Sequence, residues 1–239
     1  MSAEDQMKWQ PEEGARKQTR LYKFMEELGK ARGAEFETYH DLWEFSTHHP
    51  ESFWSAVWDS CGVIAETKGS TVLQSAEHMK DAQFFPEARL NFAQNLLRRR
   101  DNQDAIVFRG EDMVERRLSF KKLYDQVSAL SQALLSKGVR KGDRVAGYLP
   151  NTPEAIIAML ATSSIGAIWS SASPDFGVQG VLDRFGQIEP KVFLCSDKYY
   201  YNGKEIDCLE KAAQIVEALP SVEQFIVVKY IKEDKVSLP

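Results

Sequence analysis

Three cysteines, Cys61, Cys195 and Cys208, are scattered over 239 residues with no CxxC spacing. So small, odd and dispersed a set argues against a disulfide framework and against a zinc site, and it suits a reducing, cytosolic setting. Each thiol reads as a small buried apolar side chain. The four histidines, His40, His48, His49 and His78, show no HExxH or other ligand spacing, so no metal-binding helix is written here. The patterns GxxxxGK(S/T), GxGxxG and GxSxG are missing too, which removes the P-loop, the dinucleotide fingerprint and the nucleophile elbow. Basic residues are not in excess: 30 Lys and Arg stand against 35 Asp and Glu, for a net charge of -5. That balance gives no sign of a general nucleic-acid or membrane-surface binder and leaves room only for a local basic patch. The polar start MSAEDQMKW lacks the basic-then-apolar order of a secretory signal.

Charge is absent altogether from Ala155 to Pro174, a run close to bilayer-spanning length. Five serines, Thr162 and Gly166 interrupt it, so a helix followed by a strand inside an α/β domain is the expectation, with no membrane span.

What is present falls into two parts. The first hundred residues hold Trp9, Trp43, Trp54 and Trp58, four of the five tryptophans. Leu21, Phe24, Met25 and Leu28 recur at helical spacing, with Gly29 and Gly33 as stops. Thr38 suits the cap of a second helix and Pro50 the start of a third, with Trp54, Trp58 and Cys61 on one stripe. The rings are expected to pack this lead-in onto the following domain. His48-His49 and Arg98-Arg99-Arg100 read as exposed helix ends.

Beyond FFPEARLNFAQNLLRRR the rhythm changes. Residues 105–108 and 114–118 read as two strands, with Gly110 and Glu111 in the turn. Ser119 caps a helix whose apolar face is Leu123, Val127, Leu130 and Leu134, ended at Gly138. A strand over 144–149 follows. Thr152 as N-cap, Pro153 at the first position and Glu154 in the first turn begin the next helix, whose narrow face is Ala155, Ala158, Ala161 and Ile165. Then come a strand from Ala167 to Ser170, a helix over 177–185 and a strand over 191–195. A helix holding Ile206, Leu209, Ala213 and Val216 and a strand over 224–231 complete the pattern. Strands alternating with helices give an α/β fold: a mainly parallel sheet with covering helices, preceded by an α-helical extension. Ligands of such sheets sit beyond the carboxyl ends of the strands, which brings loops 150–153, 171–176 and 196–204 toward one another.

The segments FPEARLNFAQNLL, GDRVAGYLPNTPEAIIAMLATSSIGAIWSSASPDFG and RFGQIEPKVFLCSDKYYYNGK resemble the acetoacetyl-CoA synthetase family, a branch of the acyl-adenylate-forming superfamily close to acetyl-CoA synthetase. The resemblance covers essentially the whole sequence. It implies a helical extension over residues 1–97 and the first part of an AMP-binding adenylation domain over residues 98–239. It implies a ligase that joins acetoacetate to coenzyme A through an acyl-adenylate, with ATP, Mg2+ and CoA as cofactors. The family's Ser/Thr/Gly-rich phosphate loop and its adenylation lysine have no counterpart in these residues. Catalytic residues are therefore expected downstream of Pro239, and the sequence resembles an N-terminal part: a fragment, a truncated copy or a short isoform. The alternative is a non-catalytic product that binds CoA weakly or pairs with the full-length enzyme. By the same resemblance, Lys204 and Tyr201 stand where related synthetases hold the CoA 3′-phosphate with arginines, and the loop from Ser173 to Phe176, with Asp175, lies along the pantetheine path. Lysine keeps the charge without the arginine fork. Small-molecule substrates, no nucleic acid and no membrane are the implied partners, and no residue fixes an oligomeric state.

Overall fold

The structure is a computed structural model that describes residues 9–75, 77–111 and 114–230. The first eight residues and the tail from Ile231 on, including the end of the strand expected over 224–231, lie outside the described residues. The chain divides into two compact units, Met1–Leu90 and Asn91–Pro239.

The first unit is helical: α1 (Glu13–Lys17), α2 (Arg20–Arg32), α3 (Tyr39–His48) and α4 (Pro50–Ser60), followed by the short antiparallel pair β1 (Leu73–Gln74) and β2 (Gln83–Phe84). Met25, Leu28 and Leu42 form its core, with Phe24, Phe36, Phe45 and Phe53 against them. Thr38 caps α3 as expected, and it does so reciprocally: its hydroxyl accepts from the Asp41 amide at 3.2 Å while Asp41 Oδ2 accepts from the Thr38 amide at 2.8 Å. Pro50 opens α4. Gly29 does not stop α2. The helix runs on to Arg32 and ends where Gly33 turns left-handed, because a glycine inside a helix weakens it without terminating it. Trp54 packs edge-on against Phe84 and Trp58 lies tilted against Phe85, whereas Trp43 stacks on His40 and stays half exposed.

The second unit begins with α5 (Phe92–Leu96), the antiparallel pair β3 (Asp104–Gly110) and β4 (Val114–Ser119), and α6 (Phe120–Ser136). Gly110 pairs with Val114 within the ladder rather than in the turn. The Ser119 hydroxyl accepts from the Lys122 amide and caps α6. Arg99 lies over the Phe120 ring and Arg100 over Tyr124, at 4.0 and 3.7 Å, so this part of the arginine run is stacked rather than merely solvated.

The expected alternation follows: β5 (Arg144–Tyr148), α7 (Pro153–Ser164), β6 (Ile168–Ala172), α8 (Val178–Ile188), β7 (Val192–Ser196), α9 (Leu209–Glu217) and β10 (Gln224–Val228). The four strands form one sheet in the order β10-β7-β5-β6, parallel throughout. Side chains alternate across it. Val145, Val192 and Leu194 pack with Leu123, Val127 and Leu134 of α6 and with Ile157, Leu160 and Ala161 of α7. Ala146, Tyr148, Phe193 and Cys195 pack on the other face with Val181 and Phe185 of α8 and Ala212 and Ile215 of α9. Burial of each large aliphatic chain here contributes about 1.5–3 kcal/mol. Ala155 is only partly buried and the face of α7 is broader than the alanine stripe suggests. Thr152 holds the N-cap position of α7 without a side-chain cap hydrogen bond.

Two residues show why the resembling segments read as they do. Asn91 Oδ1 accepts from the Gln94 amide and caps α5, while its Nδ2 donates to the Ser163 and Ser164 carbonyls at the end of α7 at 3.0 and 3.1 Å. One side chain thus closes the ends of two helices. Gly147 lies under the Trp169 ring: a Cβ there would stand 2.7 Å from Trp169 Cζ2.

The largest departure from expectation lies between β7 and α9. Residues 196–204 are not a loop and Ile206 is not helical. Lys198–Tyr201 (β8) and Lys204–Asp207 (β9) pair as an antiparallel hairpin, with Ile206 opposite Tyr199. The dipeptide Asn202-Gly203 makes the turn, with φ of 51° and 72°. Two successive positive φ values are those of the tight hairpin turn that Asn-Gly favours, so pairing wins locally over helix.

Candidate binding site at the carboxyl edge of the sheet

Helix α7 returns the chain to one side of β5 and α8 carries it across to the other, so the strand order reverses at β5. In parallel sheets this reversal leaves a crevice beyond the carboxyl ends, where ligands bind. Three connections meet there. After β5 comes the turn at 150–153, after β6 the loop at 173–176, and after β7 the β8–β9 hairpin.

The loop and the hairpin are fastened together. Tyr148, fully buried at the end of β5, donates its hydroxyl toward the Pro174 and Phe176 carbonyls, both at 2.8 Å. Burial pushes this phenol up to about 12, so it remains a donor at any physiological pH. Tyr199 of the hairpin donates to Asp175 Oδ1 at 2.8 Å, and the Ser173 hydroxyl donates to Asp175 Oδ2 at 2.8 Å. The Ser173 hydroxyl, and then that of Tyr199, hold the Asp175 carboxyl below its ordinary 3.8. Arg184 lies 4.3 Å from the Phe176 ring centroid, a cation–π contact at the end of the loop.

Of the residues singled out in the sequence, Tyr201 and Lys204 face each other as the last pair of the hairpin before its turn, and both are exposed. Asp175 stands at the base of the same assembly, its two oxygens already accepting from Tyr199 and Ser173. All three therefore belong to one structure, with Asp175 as support and Tyr201 and Lys204 at the tip.

Four further residues take part that the sequence pattern did not single out. Tyr199 supplies the tie to Asp175. Asn202 and Gly203 shape the tip, and the Asn-Gly pair between YYY and KEI was a legible hairpin signal. Glu111, at the end of the β3–β4 pair, receives the Asn202 amide on Oε1 at 2.5 Å and the Gly203 amide on Oε2 at 2.8 Å. No short-range pattern could have joined residues so far apart in the chain.

A narrow crevice lies beside this assembly, lined by Phe108, Arg116, Thr152, Glu154, Ser196, Val228, Lys229 and Tyr230. Arg116 and Glu154 meet within it at 2.6 Å. Glu154 therefore pairs with a guanidinium besides favouring the α7 dipole. A roomier groove lies in the first unit between α2 and α4, lined by Phe24, Leu28, Arg32, Ala56 and Asp59 among others.

Cys195 and Cys208 are buried and Cys61 is exposed. Burial pushes the Cys195 thiol up to about 12 and Cys208 to about 11. Among the described residues no group of three or more His, Cys, Asp or Glu side chains converges as an all-protein metal site would require. No helix among them is long and apolar enough to cross a membrane.

The sequence matches the AMP-binding enzyme family over residues 92–238 and the acetyl-coenzyme A synthetase N-terminus over residues 39–96. The acetoacetyl-coenzyme A synthetase of Rhizobium meliloti (strain 1021) is 48% identical over 211 residues, which is 88% of this chain and 32% of that protein. The acetoacetyl-CoA synthetase of Macaca fascicularis is 38% identical over 239 residues, 98% of this chain and 35% of its own. A solved structure of acetoacetyl-CoA synthetase from Streptomyces lividans has the same fold, with a TM-score of 0.87 at 36% identity, over 96% of this chain and 36% of that one. The chain spans about a third of the length of the curated relatives it matches.

Proposed function

The chain belongs to the AMP-binding enzyme family, and on that premise we propose that it supplies the N-terminal portion of an acetoacetate–CoA ligase. The observation that carries this reading is similarity to acetoacetyl-CoA synthetases along nearly the whole chain, 88% and 98% of it in two relatives. In the proposed reaction the carboxylate of acetoacetate attacks the α-phosphate of ATP and releases pyrophosphate. The thiol of coenzyme A then attacks the acyl carbon and AMP leaves.

These residues take the recognition side of that work. Lys204 and Tyr201 at the hairpin tip meet a phosphate of coenzyme A, the lysine as a point charge and the tyrosine through its hydroxyl and ring. Asp175, Ser173 and Tyr199 hold the neighbouring loop along the path of the ligand. Residues 1–97 act as the extension and residues 98–239 as the opening part of the adenylation domain. Adenylation chemistry, with any magnesium it uses, is assigned to residues beyond Pro239, and the setting is cytosolic.

Thioester formation by the complete reading frame, supplied with acetoacetate, ATP and CoA, tests the assignment. Formation with acetoacetate is the expected result. Activity with acetate or propionate and none with acetoacetate would assign a different ligase. The 239-residue chain assayed alone should make no thioester.

A second reading has one observation behind it. β10 stands at the end of the sheet, and its Phe225 and Val227 are 43% and 42% exposed. Such a strip suits pairing with a longer copy of the chain. Retention of the full-length enzyme on the immobilised 239-residue chain tests it.

A further inference from the structure

Two backbone amides at the hairpin tip converge on one carboxylate. The Asn202 and Gly203 amides, left unpaired by the hairpin ladder, point out of the turn toward the same carboxylate and form a pair of donors. Such amide pairs bind anions, phosphate above all, through fixed partial charges. Lys204 follows at once, exposed and with no ion pair among the described residues. The anion on this pair is the protein's own: Glu111 reaches across from the β3–β4 pair, one oxygen to each amide. Glu111 itself has a φ of 51°. A carboxylate and a phosphate present the same pair of oxygens to such donors, so the two compete for one seat.

We propose that the Asn202 and Gly203 amides form an anion seat that Glu111 fills, and that a phosphate group takes the seat only by displacing Glu111. Glu111 then sets the affinity of the hairpin tip for phosphate and ties the β3–β4 pair to the hairpin whenever phosphate is absent. Binding of phosphate releases that tie. Naming coenzyme A as the natural source of the phosphate rests on the function proposed above; the seat and its occupant do not.

The test uses the 15N-labelled 239-residue chain and inorganic phosphate as the probe, following the Asn202 and Gly203 amide resonances. Glu111→Gln keeps the shape and removes the charge, and Glu111→Ala removes the reach. Both amides should respond to phosphate at about tenfold lower concentration in either variant than in the parent chain. Glu205→Gln removes a charge from the same hairpin without touching the seat and should leave the response unchanged. The proposal is overturned if the two amides do not move with phosphate in the Glu111 variants, or if Glu205→Gln sharpens the response as much as Glu111→Gln does. Coenzyme A and 3′-dephospho-coenzyme A then distinguish the source. A gain in the Glu111 variants confined to coenzyme A assigns the seat to the 3′-phosphate, and an equal gain with both assigns it to the pyrophosphate. A gain with inorganic phosphate and none with either nucleotide keeps the seat and removes the CoA reading.

Discussion

The Tyr199 hydroxyl stands 2.8 Å from Asp175 Oδ1 and couples the hairpin after β7 to the loop after β6. Tyr199 is 8% exposed and Asp175 lies open to water, so the bond has a dry donor and a wet acceptor. Tyr199→Phe should cost about 1 kcal/mol, the net worth of an ordinary hydrogen bond. Urea unfolding would read it as a lower midpoint at unchanged slope. An unmoved midpoint would mean that Tyr148 alone holds the loop.

Acid should undo the same contact. The folded carboxyl of Asp175 sits below its ordinary 3.8, so its contribution is complete above that value and disappears as pH falls through the depressed one. Asp175→Asn should therefore flatten the acid limb of the stability profile below about pH 4, where the parent chain loses stability. The step is small, because the group is exposed and screened.

Alkali acts on the thiols in the opposite direction. Cys195 and Cys208 are raised from 9.0 to about 12 and about 11. Their buried neutral form favours folding fully below pH 9, and the benefit is lost as pH rises toward those values. At pH 8 a thiol reagent should label Cys61 quickly and the other two only after unfolding. Rapid labelling of all three in the native chain would contradict the burial described here.

Gly147→Ala drives a methyl into the Trp169 ring. The expected cost is about 1–3 kcal/mol, that of an overpacked core. Trp169→Leu in the same chain should recover part of it, and the double-mutant cycle measures the coupling. Simple additivity would show that the backbone, not the ring, absorbs the strain.

The parts of this fold that were legible in the sequence are those governed by local pattern. Ser119, Thr38 and Pro50 start helices because a cap needs only its neighbours. The sheet was legible because strands buried on both faces read as apolar runs, as Val192 to Cys195 does before the buried Ser196. The hairpin was missed although Asn202-Gly203 announced it, because the apolar residues of the following helix drew Ile206 into the wrong period. At the site, Tyr201 and Lys204 came from resemblance and lie together. Asp175 proved to be engaged with Tyr199 and Ser173, which only a fold can bring to it. Glu111 was out of reach altogether: its partners are set by the meeting of two hairpins, and nothing in DAIVFRGED marks it.

The order of strands also governs how the chain emerges during synthesis. β5 leaves the ribosome before either of its neighbours. β6 follows after one helix, and β7, which must settle on the other side of β5, after two. Until Val192–Ser196 arrives, one edge of Arg144–Tyr148 has no partner from its own sheet, and the apolar flank of Tyr148 lacks Phe193. A nascent chain paused before that point displays an open apolar strand, the kind of surface that chaperones hold and that aggregation exploits.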